Sequence, residues 1–214
     1  MTEALRRALI STALEMNRSG LNQGTSGNLS VRSGEGMLIT PSGLPYDRLD
    51  TADIVYVPQQ DGPRAAGTGR RQPSSEWRIH HDVYHARPEA MAILHAHPVH
   101  CTALACLRRP LPAFHYMVAV AGGRDIRCAP YATFGSQALS DHVLEALQDR
   151  RACLMANHGV LTLSSDLAGA LSLAQEIEQL ARSYLQCLAV GEPPILDNAE
   201  MDRVLEKFKS YGQR

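Results

Sequence analysis

The run Met91-Ala92-Ile93-Leu94 leading into His95-Ala96-His97 constrains this chain more than any other feature. A short apolar run of this kind reads as a buried strand. Side chains two apart on a strand point the same way, so His95 and His97 are presented in parallel from a rigid, dry element. Two imidazoles delivered like this suit a transition metal. A third ligand candidate lies far downstream, where Leu154-Met155-Ala156 runs into Asn157-His158-Gly159. Histidine-rich sites that keep an open coordination position are catalytic rather than structural zinc sites.

The chain has 214 residues, 44% of them hydrophobic, enough for one compact domain with a sizeable core. A net charge of −1 leaves no electrostatic footprint for nucleic acid. No apolar stretch approaches the roughly 18 residues of a membrane span. The start, Met1 to Arg7, continues into an amphipathic pattern without signal-peptide character, so a cytoplasmic location is expected. Five cysteines, at 101, 106, 128, 153 and 187, show no Cys-x-x-Cys pair and read as reduced core thiols. Arginine supplies nearly all the positive charge. Lys207 and Lys209 are the two lysines, both near the end of the chain, so Schiff-base chemistry is disfavoured.

Helical spacing runs from about Glu3 to Arg18, followed by short strands at Asn28–Arg32, Met37–Thr40 and Ile54–Val57. Gln59–Pro73 is polar and rich in glycine, which predicts a surface excursion. Ser74-Ser75-Glu76 opens a helix through about Ala86, ahead of Pro88. Strand Met91–Ala96, helix Val99–Leu107 and a strand-rich stretch Ala113–Tyr131 come next. Gln137–Leu147 reads as a helix and Ala152–Leu163 as a strand pair around the Asn-His-Gly turn. Helices at about Leu167–Val190 and Ala199–Ser210 close the chain. This order predicts a single α/β domain, 1–214, layered α/β/α around a mixed sheet rather than a regular βαβ array.

His95, His97 and His158 are the metal candidates. Of the remaining histidines (80, 81, 85, 100, 115 and 142), all placed on helices or loops, His81 and His85 lie one helical turn apart. That spacing would suit a second metal pair, but two surface histidines is the simpler reading. Glu76 sits where backbone N–H groups and the helix dipole collect anions, so it is read either as a solvated charge or as a fourth ligand that carries protons. Gly24 to Ser30 and Thr40 to Gly43 are small-residue turns, read as plain hairpin chemistry or as anion nests. Neither is a P-loop or a dinucleotide fingerprint. Together with Ser74 and Ser75 they fit a small sugar phosphate.

The segments Gly24–Arg32, Leu38–Leu49, Pro73–Trp77, His95–Ala103, His115–Gly123, Cys128–Gly135, Asn157–Val160 and Leu205–Gly212 together resemble the class II aldolase/adducin family, through nearly the whole chain. The resemblance implies that family's fold, with a largely antiparallel central sheet. It implies one Zn2+ per subunit on Glu76, His95, His97 and His158, with Glu76 also the acid/base. Gly27, Asn28, Ser42, Gly43, Ser74 and Ser75 fall where the family binds substrate phosphate. Tyr116 matches a tyrosine reaching a neighbouring subunit's site, and Tyr211 one on a C-terminal tail. A homotetramer with sites between subunits is implied.

The implied reaction cleaves a ketose 1-phosphate, L-fuculose 1-phosphate in the main reading, to dihydroxyacetone phosphate and an aldehyde, here L-lactaldehyde. The charge of the enediolate left behind is taken up by the metal. Alternatives are the 5-deoxyribulose and 5-methylthioribulose 1-phosphates, or 4-epimerisation of a pentulose phosphate. The epimerase segment carries an Asp that Phe114-His115-Tyr116-Met117-Val118-Ala119 lacks. A non-enzymatic scaffold role, as in adducin, predicts loss of the histidine trio, and all three are present.

Overall fold

The computed structural model describes residues 2–60 and 71–210. Seven strands form one sheet: β1 (Asn28–Arg32), β2 (Gly36–Ile39), β3 (Val55–Pro58), β4 (Ala92–Ala96), β5 (Cys128–Ala129), β6 (Ala152–Met155) and β7 (Gly159–Ser164). Their order across the sheet is β3-β2-β1-β4-β7-β6-β5. Every pairing is antiparallel except β5 with β6. The expected mixed, largely antiparallel sheet is observed. The helices are α1 (Thr2–Arg18), α2 (Trp77–Ala86), α3 (Val99–Cys106), α4 (Gln137–Ala146), α5 (Leu167–Val190) and α6 (Asn198–Phe208). None is long and apolar enough to cross a membrane, among the described residues.

Strand periodicity splits the core into layers. On β4, Ile93 faces the α2 and α4 side, packing with Ile79, Val83, Leu139 and Val143. Ala92, Leu94 and Ala96 face the other side, against Leu9 and Ala13 of α1 and Ala170 and Ala174 of α5. A third cluster joins α3, α5 and α6 to Leu154 and Val160. Each large side chain buried in this way contributes about 1.5–3 kcal/mol. The alternation places His95, like Ile93, on the α2 side.

The strand-rich expectation for Ala113–Tyr131 fails over most of its length. Tyr116–Ala121 is a 3₁₀ turn, and strand structure is confined to Cys128–Ala129. The alternating valines Val118 and Val120 mimic a strand, but the buried residues Val118, Ala119 and Ala121 pack against α5 and α6. The His115 side chain accepts from the Met117 N–H at its start, and Gly122, at φ 91°, ends it. Other ends move by one or two residues: β2 stops at Ile39, β3 starts at Val55, α2 starts at Trp77 and α6 stops at Phe208. Of the polar excursion, residues 61–70 lie outside the described residues. The core-thiol reading is right for Cys101 and Cys153, whereas Cys106 is exposed; all five are free.

Candidate metal centre and substrate cleft

His95 is the penultimate residue of β4, which is buried throughout, and His97 follows one residue beyond the strand. The alternation carries through, leaving their Nε2 atoms 2.9 Å apart. His158 arrives on the tight turn between β6 and β7, whose last register pair is Met155 with Gly159. Asn157 holds that turn at φ 55°, a left-handed conformation that asparagine tolerates better than most residues. The Arg108 Nε donates to Asn157 Oδ1 at 2.9 Å and steadies it. Glu76 takes the N-cap position of α2 but does not cap the helix. Its carboxylate turns inward instead, Oε2 lying 3.0 Å from His95 Nε2 and Oε1 3.2 Å from His158 Nε2.

One ligand atom from each of Glu76, His95, His97 and His158 lies within 4.8 Å of the others, a group that could hold a metal ion. Two details of the structure fit that use. The backbone carbonyl of Val160 lies 3.0 Å from His95 Nδ1, which fixes the ring and directs Nε2 at the centre. Glu76 Oε1 is buried and makes no hydrogen bond, so a lone pair is left facing the cluster. Three imidazoles and one carboxylate suit a divalent transition metal.

Electrostatics prepares the ligands. Burial raises the pKa of Glu76, but the neighbouring His95 and His158 outweigh it and hold the carboxyl down at about 2. Burial, then the charge of His95 and His158, pushes His97 down to about 3. Burial and His95 push His158 down to about 4. Both are therefore neutral at physiological pH. Burial lowers His95 as well, but the Glu76 carboxylate and the Val160 carbonyl win and raise it.

The cluster floors a cleft of about 490 Å³ lined by Thr25, Ser26, Ser42, Gly43, Ser75 and Asn157, with Tyr131, Ala132 and Phe134 at the edge. Ser42, Gly43 and Ser75 thus come to the cleft as the sequence suggested. Gly27, Asn28 and Ser74 lie buried beneath it. The Gly27 carbonyl accepts from Tyr46 OH, the Asn28 amide reaches Glu76, and Ser74 Oγ accepts from the Glu76 N–H. Tyr116 does not reach this cleft; it is half-exposed beside Phe114, Leu196 and Phe208. Tyr211 lies outside the described residues. Lys207 lines a separate cavity with Phe114, Tyr116 and Phe208, and Lys209 pairs with Glu206, both away from the cluster.

Sequence reasoning missed Tyr131, Phe134 and Asn157 as lining residues. For Asn157 the signal was the turn itself. The pair His81 and His85 forms no metal group: His81 lies within hydrogen-bonding distance of Asp82 and the Gln59 carbonyl. His80, on the same helix, is fully buried.

Residues 7–185 match the family model described as "Class II Aldolase and Adducin N-terminal domain". The chain is 53% identical over 209 residues to a 5-methylthioribulose-1-phosphate/5-deoxyribulose-1-phosphate aldolase of Rhodospirillum rubrum, covering 98% of this chain and 93% of that protein. It is 52% identical over 211 residues to an L-fuculose phosphate aldolase of Escherichia coli strain K12, covering 98% and 96%. A solved L-fuculose 1-phosphate aldolase superposes with a TM-score of 0.90 at 40% identity, covering 96% of each chain.

Proposed function

The chain belongs to the class II aldolase and adducin family, and we propose that it is a lyase that reversibly cleaves L-fuculose 1-phosphate to dihydroxyacetone phosphate and L-lactaldehyde. The observation that carries this reading is the convergence of Glu76, His95, His97 and His158 on the floor of a hydroxyl-lined cleft. It is supported by near full-length likeness to L-fuculose phosphate aldolases. We take residues 1–214 as one domain and Zn2+ as the metal, with Glu76, His95, His97 and His158 as its ligands. When bound, the cation supplies a Lewis acid for the negative charge that develops on the substrate's C2 and C3 oxygens.

The remaining chemistry belongs to side chains. Ser42, Gly43 and Ser75 at the cleft, backed by Gly27, Asn28 and Ser74, hold the phosphate through hydroxyl and backbone N–H groups. As the C3–C4 bond breaks, its electron pair passes to C3, and the Glu76 carboxylate, ionised at rest, takes up a proton from solvent in the cleft and passes it to C3. The C4 hydroxyl gives up its proton as the aldehyde forms, and the Tyr116 hydroxyl of a neighbouring subunit relays it, passing its own proton to solvent as it accepts this one. Exposure of Tyr116 away from its own cleft leaves it free for that role and supports a homotetramer. On the likeness to the family we also assign Tyr211, outside the described residues, to the catalytic set. Free cysteines and the lack of a spanning helix among the described residues support a cytoplasmic setting.

Equal identity to the R. rubrum enzyme favours a second reading, cleavage of 5-deoxyribulose or 5-methylthioribulose 1-phosphate. Condensation assays with dihydroxyacetone phosphate and L-lactaldehyde, acetaldehyde, glycolaldehyde or methylthioacetaldehyde separate the two. Selectivity for L-lactaldehyde is expected; selectivity for acetaldehyde or methylthioacetaldehyde selects the second reading. No product from any aldehyde, with epimerisation of a pentulose phosphate, overturns both.

A further inference from the structure

Two polar rows meet in the core on the α2 side of the sheet. Asn28 and Ser30, two apart on β1, share one face of the strand. Glu76, His80 and Tyr84, four apart along α2, share one stripe of the helix. The rows interleave. Asn28 Nδ2 donates to Glu76 Oε2 at 3.2 Å, and His80 Nε2 lies 2.5 Å from Asn28 Oδ1. Ser30 Oγ is 2.7 Å from His80 Nδ1 and 2.9 Å from Tyr84 OH. All five side chains are buried.

Proton accounting fixes the direction of every bond. An ionised Glu76 accepts only, so the Asn28 NH2 faces it and Oδ1 faces His80. His80 must then donate from Nε2. Burial, with the charge of His95, pushes the His80 pKa down to about 3, so the ring is neutral and Nδ1 accepts from Ser30 O–H. Ser30 in turn accepts from Tyr84 O–H. One sequence of donors runs from Tyr84 to the carboxylate, and a neutral imidazole at its middle keeps the amide from flipping.

We propose that His80 is a positioning residue for the Glu76 carboxylate, acting through Asn28 and braced by Ser30 and Tyr84. The Asn28 donor holds Oε2 beside His95 and leaves Oε1, which makes no hydrogen bond, beside His158. This rests on the reading of Glu76 as proton carrier at this site.

The test compares His80→Leu, which removes both ring nitrogens, with His80→Gln, whose amide can donate to Asn28 and accept from Ser30. The kcat and KM for cleavage of L-fuculose 1-phosphate are measured per folded, metal-loaded subunit. For His80→Leu, kcat falls about tenfold to a hundredfold, the usual cost of losing a partner that orients a ligand, while KM stays within about twofold because Ser42, Gly43 and Ser75, which line the cleft itself, make no contact with His80. His80→Gln recovers most of the loss. Equal kcat in the two variants, or a rise in KM matching the fall in kcat, overturns the proposal.

If His80→Leu does not fold, Ser30→Ala serves, with a smaller fall in kcat at constant KM expected and an unchanged kcat refuting. Nitrogen NMR of the wild type gives a readout independent of substrate: His80 is expected as the neutral Nε2–H tautomer from pH 5 to 8, and an Nδ1–H tautomer overturns the proposal. A wild type that cleaves none of the ketose phosphates tells instead against the assigned reaction, and the NMR result then decides the network alone.

Discussion

Gly159→Ala tests the metal centre without touching a ligand. Gly159 opens β7 where it passes β4, and a Cβ there would lie 2.4 Å from the Ala96 carbonyl oxygen and 2.7 Å from His97 Cδ2. Restoring ordinary contact moves the His97 ring by about 0.7 Å and the Ala96 carbonyl by about 1 Å, against a tolerance of about 0.2 Å in metal–ligand distances. Overpacking costs about 1–3 kcal/mol, which a domain of ordinary stability survives. The metal site should not survive as well. Taking a hundredfold loss of affinity, zinc supplied at 100 times the wild-type Kd stabilises the wild type by about 2.7 kcal/mol and the variant by about 0.4.

For a chain of this length those values correspond to a zinc-dependent rise in Tm of about 5–11 °C in the wild type and about 1–2 °C in the variant. Thermal melts of stripped protein with and without zinc provide the measurement. Gly191→Ala, where a Cβ meets nothing within 4 Å, serves as the control. A Gly159→Ala protein that folds and gains the full zinc-dependent rise would refute both the placement of His97 and the clash argument.

Glu76→Gln keeps the shape of the carboxylate and removes its charge, so turnover should fall by at least a hundredfold, near the lower end of a general acid–base contribution. Binding of dihydroxyacetone phosphate, read by calorimetry, should survive; near-native kcat sinks the assignment. Removal of divalent metal with a chelator should abolish cleavage and lower Tm, and added zinc should restore both, whereas activity that persists in metal-free protein is the contrary result. Asp82 links α2 to α4, accepting from Ser140 and Gln137 and lying against His81.

Burial raises the Asp82 pKa, but these hydrogen bonds outweigh it and lower it from 3.8. The stability Asp82 contributes is therefore present above that value and lost as pH falls through the lower folded pKa. The Asp82 bond, against the opposing effect of burial, raises His81 above 6.5, so the contribution of His81 is full below 6.5 and is lost as pH rises through its folded pKa. Asp82→Asn should flatten both limbs of a Tm-against-pH curve; an unchanged curve contradicts the assignment.

Local periodicity made much of the site readable. Alternation on β4 placed His95 and His97 together, and the sequence Asn157-His158-Gly159 marked the turn that presents His158. Tyr116–Ala121 misled because β-branched residues fit a strand locally, and only the α5 and α6 surfaces select the 3₁₀ form. His80 was hidden for a related reason. Glu76, His80 and Tyr84 fall on one helical stripe in the sequence, yet nothing local says that this stripe meets Asn28 and Ser30 rather than water. Which strand lies against which helix is a long-range outcome, and the buried polar network exists only once it is decided.

The order in which the ligands leave the ribosome follows from their scatter along the chain. Glu76 emerges first, the β4 pair some twenty residues later, and His158 only after α3, α4 and β6 have been made. No shorter nascent chain carries the complete donor set, and the β4–β7 pairing that aligns it needs residues up to Ser164. A cation that needs all four groups would thus meet them only late in synthesis, once β7 can pair with β4, and would not serve as a template for that pairing.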